Sequence, residues 1–382
     1  MKILHLCLAN FYIDGYNYQE NVLPRINKED GHEVRIIAST ETFVDNQHLG
    51  YVEPSAYVTE YGVPIKRLPY VKVGNHFTTV KIRKYPHVYE EIAAFAPAVI
   101  LAHGLLFWSV GDLIRYKKDH PEVKLYADTH TAANNSGTNW LSLHVLHRIF
   151  YRHLVQKALP YVEKYFYISA ECGEFAVKNH GVPESMTEFY PLGGVLFSEA
   201  QRAANRSRRR AELGLAEDEL LLVHSGKLDA LKRTEELLRA FAAVPELKAK
   251  LAIIGSIPEE TEQTLSPLME ADSRVTYLGW RSAPELMEYL CAGDVYCQPG
   301  SQSATMQNAV CCGCAVMLYP HPSHTKHYDW DNVFWVRTQA DMEDVFRRLA
   351  GGEVPLDRMK EGSMRCAREL LDYRKLAARL YR

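Results

Sequence analysis

Short apolar runs recur along the chain, each closed by Gly, Ser, His or an aromatic residue, and most are followed by a longer stretch with helical spacing. The first half holds KILHLCL, HEVRIIAS, AVILAHG and KLYADTH; the second holds LLLVHSG, KLAIIGS, RVTYLG, DVYCQPG and AVMLY. Strands this continuously apolar must be buried on both faces, as in parallel sheets covered by helices. The pattern predicts an α/β protein of two doubly wound parallel-sheet domains facing a cleft, with ligands at the carboxyl ends of the strands. Pro and Gly punctuate HGVPESMTEFYPLGGVLFSEA from residue 180, which puts an amino-terminal domain at 1–194, a linker at 195–219 and a second domain at 220–360. The strong helix formers of 361–382 predict a final amphipathic helix packed back on a domain.

Composition refines this picture only slightly. A chain of 382 residues exceeds what one core usually supports, so two domains are expected. A formal net charge of −3 supplies no basic field, and no nucleic-acid partner is expected. The apolar start MKILHLCLAN is too short for a signal-peptide core or a membrane span and reads as the first buried strand, while eight scattered Cys suit a reducing cytoplasm, so a cytoplasmic protein is expected. The eight Cys lack a disulfide framework, and the pair Cys311 and Cys314 lacks the second pair that a structural zinc site wants. The five Arg of QRAANRSRRRAELGL read as a solvated helix face, with a phosphate or anionic-lipid patch as the other reading. DWD at 329–331 reads as a solvated loop.

Candidate chemistry begins after LLLVHSG, where Lys227 and Lys232 flank a short loop that opens a helix. Two cations beside free backbone N–H groups can grip a diphosphate, although two surface lysines at a helix start would look the same.

The order of several motifs then adds a resemblance. GHEV at 31–34, AHG at 102–104, DTH at 128–130, YISA at 167–170, the GVP and YPLGGV of the interdomain stretch, SGKLDALKR, and YLGWRSAPELMEYLCAGDVYCQPGS resemble, in sequence order, the segments of the retaining nucleotide-sugar glycosyltransferases of family 4. That resemblance covers nearly the whole chain and implies the B-type architecture of two Rossmann-like domains. It implies that Gly226, Lys227 and Lys232 form the diphosphate loop, that Trp280 contacts the base, that His130 lies near the reacting sugar, and that His103 contacts or supports the acceptor side.

Two departures stand out. The family's donor loop carries two Glu, and alignment on CCGCAV puts Asn308 at the second; the first falls near 300–302 only if about three residues are missing. Gln302, Ser303, Ala304, Thr305 and Asn308 therefore replace carboxylates with amides, hydroxyls and backbone N–H groups, which still hydrogen-bond a donor but less strongly. The family's paired glycines become IDGYNYQEN, with Gly15 alone. Tyr12, Asp14, Tyr16, Asn17 and Tyr18 make this loop aromatic and polar, suited to an acceptor sugar or, for one or two of the tyrosines, to the core.

The resemblance implies a glycosyltransferase that moves a sugar from a nucleotide-diphosphate donor to a hydroxyl with retention, in cell-surface polysaccharide or glycoconjugate assembly. It implies no cofactor and no metal, a sugar or glycolipid acceptor, and peripheral membrane association at the inner face. The missing Glu pair keeps open a catalytically inactive sugar-nucleotide-binding or partner-activating subunit. A same-fold epimerase or phosphorylase is a third reading.

Overall fold

Each of the nine apolar runs forms a strand of a parallel sheet in the computed structural model, which describes residues 1–44, 48–133 and 135–381. The chain divides into two units, one of Met1–Pro191 with Tyr373–Arg382 and one of Leu192–Asp372.

The first unit holds β1 (Lys2–Cys7), β2 (Glu33–Ser39), β3 (Glu41–Phe43), β4 (Leu49–Tyr51), β5 (Ser55–Val58), β6 (Pro64–Leu68), β7 (Val99–His103), β8 (Lys124–Thr129), β9 (Lys164–Tyr167) and β10 (Thr187–Phe189). Its main sheet runs β10-β9-β8-β7-β1-β2-β6-β5, parallel except for the antiparallel edge strand β5, while β3 and β4 form a separate hairpin. The strand order reverses at β1, between β7 and β2, and apolar clusters built around Leu4, Leu6 and Leu125 and around Ile3, Leu101 and Phe166 pack on the sheet.

In the second unit β11 (Leu220–Lys227), β12 (Ala249–Ser256), β13 (Val275–Gly279), β14 (Val295–Gln298), β15 (Ala315–Leu318) and β16 (Val333–Trp335) form an all-parallel sheet in the order β13-β12-β11-β14-β15-β16. That is the doubly wound dinucleotide-binding order, whose ligand crevice opens where the order reverses, between β11 and β14. Fold class was therefore readable from the apolar runs.

The stretches 195–219 and 361–382 are built differently from a linker and a single terminal helix. Glu199–Glu212 is a helix closed by a capping box between Ser198 and Gln201. Its arginines are not a free face: Arg206 and Arg210 hold Asp294 at 2.7 and 3.2 Å, and Arg209 holds Glu288 at 2.6 Å and lies over Tyr289. Asp294 is buried. Burial alone would raise its carboxyl, but Lys360, Arg206 and the Leu221 N–H hold it below its usual range. At the other end, helix Leu356–Cys366 packs on the second unit, and the backbone extends at Asp372. Beyond it Tyr373, Leu376, Ala377 and Leu380 present one helical face to the first unit's cluster. Tyr190 OH donates to Leu376 O at 2.8 Å, and Arg374 pairs with Glu29 at 2.7 Å.

Candidate functional site

In the second unit the site grows from close backbone approaches that only glycine permits. Gly226, at φ +134°, ends the buried part of β11, and a Cβ on Gly300 would meet Leu231 O at 2.1 Å. The loop after β14 is thus laid directly on the turn Ala230–Lys232, where Ser301 N–H donates to Leu231 O at 2.8 Å. Arg233, held at φ +57°, donates to Pro299 O and Arg337 O, and His321 Nε2 lies 3.1 Å from Gly300 O. Beneath the turn His224 bridges Cys297 O (2.7 Å) and Thr234 Oγ1 (2.9 Å). Burial, against the pull of the Cys297 carbonyl, lowers it to about 4, so it is neutral, with Nδ1–H donating and Nε2 accepting.

Lys232 emerges from this turn and folds over Gly226: its Nζ comes 3.4 Å from where a Gly226 Cβ would stand. The residue is 8% exposed, and among the described residues its ammonium has no hydrogen bond or ion pair. Burial lowers its pKa, with Asp229 opposing. Such a cation at the mouth of a doubly wound sheet wants an anion. Lys227 is exposed one residue beyond Gly226.

The QSATMQN segment forms the turn into helix Thr305–Cys312. Ser303 Oγ takes the Thr305 N–H at 3.2 Å, so that donor is already used. Gln302 and Ala304 are exposed. Asn308 is half-buried against Gly194, and its amide has no hydrogen-bond partner among the described residues. Gln307, which sequence reasoning passed over, is oriented so that its NH2 donates to Ala304 O at 3.0 Å and Ser303 O at 3.2 Å while its oxygen accepts from Tyr328 OH. Gln298 is buried with neither amide atom paired. Trp280 is 73% exposed after the edge strand β13 and makes no ring contact with these residues. Cys311, Cys312 and Cys314 are buried and free, and no group of metal-ligating side chains occurs among the described residues.

In the first unit the loop after β1 carries the remaining candidates. Gly104 (φ +85°) permits its approach to the end of β7, since a Cβ there would meet Ala9 Cβ at 2.8 Å, and Asn10 N–H donates to His103 O. Gly15, at φ +75°, faces open space, so its requirement is conformational. Tyr12 is buried at 2% in an apolar cluster, behind the loop surface. Tyr16 stacks on Tyr18 and meets Phe43 edge-on, and Asn17 is exposed. Asp14 Oδ2 accepts from Tyr57 OH at 2.6 Å and Arg67 Nη2 at 2.8 Å. With Thr42 they line a hollow of about 340 Å³. Arg67 also donates to Ser39 O and Tyr12 O, so its buried guanidinium is spent on protein acceptors.

His103 is fully buried, with Nδ1 2.7 Å from Asp128 Oδ2 and Nε2 3.1 Å from His5 Nδ1. Asp128 only accepts, which fixes a proton on His103 Nδ1, and His103 supports the strand end from within. Burial and His103 push His5 down to about 3, with Asn27 and Asp128 opposing. His130 is partly exposed, with Nε2 3.8 Å from Asp128 Oδ1 and 3.9 Å from Glu20 Oε1. Burial alone would lower it, but Glu20 and Asp128 raise it to about 9, so it is a cation at neutral pH. Glu20, Asp128, His5 and Asn10, which donates to Glu20 at 3.3 Å, were missed as site residues. DTH contained one of them, but nothing in the sequence joins it to Glu20. Asn134, in the loop after His130, lies outside the described residues.

The fold is shared with known proteins. Residues 205–348 match the family model "Glycosyl transferases group 1", so the second unit carries that domain. The whole chain has the two-unit B-type glycosyltransferase fold. HepE from Anabaena, solved with UDP and glucose, is similar at a TM-score of 0.64 and 14% identity, over 99% of this chain and 98% of its own. Sucrose-phosphate synthase from Thermosynechococcus elongatus gives 0.64 and 15%, over 99% and 97%. WaaG, a glycosyltransferase involved in lipopolysaccharide biosynthesis, gives 0.62 and 15%, over 99% of each chain. The chain has no match among curated proteins by sequence.

Proposed function

We propose that this protein transfers a sugar from a nucleoside-diphosphate donor to a hydroxyl of a sugar or glycolipid, with retention, in cell-surface polysaccharide or glycoconjugate assembly at the cytoplasmic face of a membrane. The observation that carries the reading is the largely buried Lys232 side chain over Gly226, whose ammonium has no hydrogen bond or ion pair among the described residues, at the point where the second sheet reverses its order. In the step proposed, the bond from the anomeric carbon to the diphosphate oxygen breaks as the acceptor oxygen bonds to that carbon from the same face. The acceptor's proton passes to the departing phosphate oxygen. Lys232, Lys227 and backbone N–H groups near Ser303 meet the leaving charge, so catalysis is mainly electrostatic and no divalent metal is needed. Gln302 and Asn308 would take the sugar and ribose hydroxyls, while Trp280 would meet the base. His130 would lie near the reacting sugar and Gly15 would let the backbone approach the donor phosphate, while Asp14, Tyr16 and Asn17 would serve the acceptor side.

Transfer from a panel of UDP- and GDP-sugars to lipid-linked and oligosaccharide acceptors tests this, with and without chelator. Product formed equally in chelator is expected. Activity that vanishes in chelator and returns with manganese would overturn the metal-free step. The absence of any carboxylate from residues 297–316 favours a second reading, a binding subunit without turnover. Sugar-nucleotide binding with no transfer to any acceptor would select it. No helix among the described residues is long and apolar enough to cross a membrane.

A further inference from the structure

The helix over 140–158 carries apolar residues on its outer face as well as on the face it buries. His147, Tyr151, Leu154, Val155 and Ala158 are buried against the first unit. The opposite face carries Trp140, Leu141, Val145 and Ile149, which are 70, 60, 42 and 65% exposed. Leu141, Val145 and Ile149 follow one another at intervals of four, so they form a stripe along the outside of the helix. A surface helix normally carries polar and charged residues on its outer face.

Charge is sorted on the same face. No Asp or Glu occurs between Asp128 and Glu163, whereas Arg148, Arg152 and Lys157 stand exposed further along the helix. Arg148 donates to Asn179 Oδ1 at 2.9 Å and lies 3.2 Å from His144 Nδ1, and among the described residues it has no carboxylate partner. On the buried side of the helix Tyr151 OH donates to Lys81 O at 2.8 Å, within a second acid-free stretch, residues 61–89. Trp108, 49% exposed, donates its backbone N–H to Ile82 O, and its ring stacks on Phe150 at 6.0 Å. A chain with 44 basic and 47 acidic residues is nearly balanced overall, so this segregation is local.

We propose that the outer face of this helix docks the protein on an anionic lipid bilayer. The apolar stripe would enter the headgroup boundary, with Trp140 at the depth where indoles sit, while the cations meet lipid phosphates. A second copy of this chain fits less well, because a self-complementary contact would set the same cations against each other. The proposal needs no step of glycosyl transfer; it deepens only the part of the reading above that places the protein at a membrane.

Co-sedimentation of the full chain with vesicles tests it apart from activity. Binding to vesicles of one phosphatidylglycerol to two phosphatidylcholines is expected, with little binding to phosphatidylcholine alone and release by salt. Arg152→Gln should lower the partition coefficient about fivefold. Ile149→Ser together with Trp140→Ser should lower it at least about tenfold. Both positions are exposed, so the fold survives, which an unchanged melting temperature would verify. Equal binding by the double variant, or no binding of wild type to anionic vesicles, would overturn the proposal. So would a dimer in sedimentation equilibrium that the double variant dissolves.

Discussion

Lys232 and His130 are both partly or fully buried cations, and their surroundings set opposite expectations. Lys232 has no hydrogen bond or ion pair among the described residues, and its pKa is lowered chiefly by burial. Lys232→Ala should therefore cost the unliganded protein little stability while removing a charge-assisted bond to phosphate, about 1.5–3 kcal/mol of nucleoside-diphosphate affinity. Calorimetric titration with UDP and GDP checks this, and undiminished affinity would remove Lys232 from the site. His130 has two carboxylates to lean on, and its folded pKa is raised from 6.5 to about 9. A raised pKa contributes stability that is fully present below about pH 6.5 and is lost as pH rises through 9. The contribution is at most about 3 kcal/mol, taking 1.36 kcal/mol per unit. Wild type should thus lose stability between these limits relative to His130→Gln, which keeps the ring's size without its titration. Parallel denaturation curves for the two proteins across that range would show that Glu20 and Asp128 do not hold the charge.

At the scale of elements, two turns carry the proposed donor site. Gly300→Ala would press a Cβ onto Leu231 O, so either the loop after β14 or the turn under Lys232 must move. A loss of about 1–3 kcal/mol in stability is expected, together with weakened nucleotide binding. A variant that melts and binds like wild type would refute the close approach. The helix start after it divides the donor differently: Asn308→Ala should weaken nucleotide binding and Gln302→Ala should disturb sugar choice or turnover, each by about 0.5–1.5 kcal/mol. Binding and transfer measured on both variants would expose an inert segment if neither changed. The nine apolar strands were legible because continuous burial leaves a local trace in the sequence. The edge hairpin β3–β4 and strand β5 were not, since their residues are largely exposed and break the apolar rhythm. Nor were the salt-bridged arginines of Glu199–Glu212: their partners Glu288 and Asp294 lie far along the chain, and only folding joins them. For the same reason Tyr12 could not be told from Tyr16, although one is core and the other lines a hollow.

For the whole molecule, each unit has its own core, but the chain enters the first unit twice. Residues 373–381 complete the cluster that holds Phe166 and Tyr190, whereas the stretch just before Asp372 belongs to the second unit. A perturbation at the extreme carboxyl end should therefore be felt in the unit built from the amino terminus, and a nucleotide should be felt in the other. Leu376→Ala removes a side chain that is 1% exposed and should destabilise the first unit by about 2–5 kcal/mol. UDP or GDP at a hundred times its dissociation constant should stabilise the second by about 2.7 kcal/mol. Scanning calorimetry should then show two transitions, one lowered by Leu376→Ala and insensitive to nucleotide, the other raised by nucleotide and insensitive to the substitution. A single transition moved by both would mean that the two cores unfold as one. If the nucleotide raised only the transition that Leu376→Ala lowers, the phosphate grip would lie in the first unit, and Lys232 would lose its assigned role.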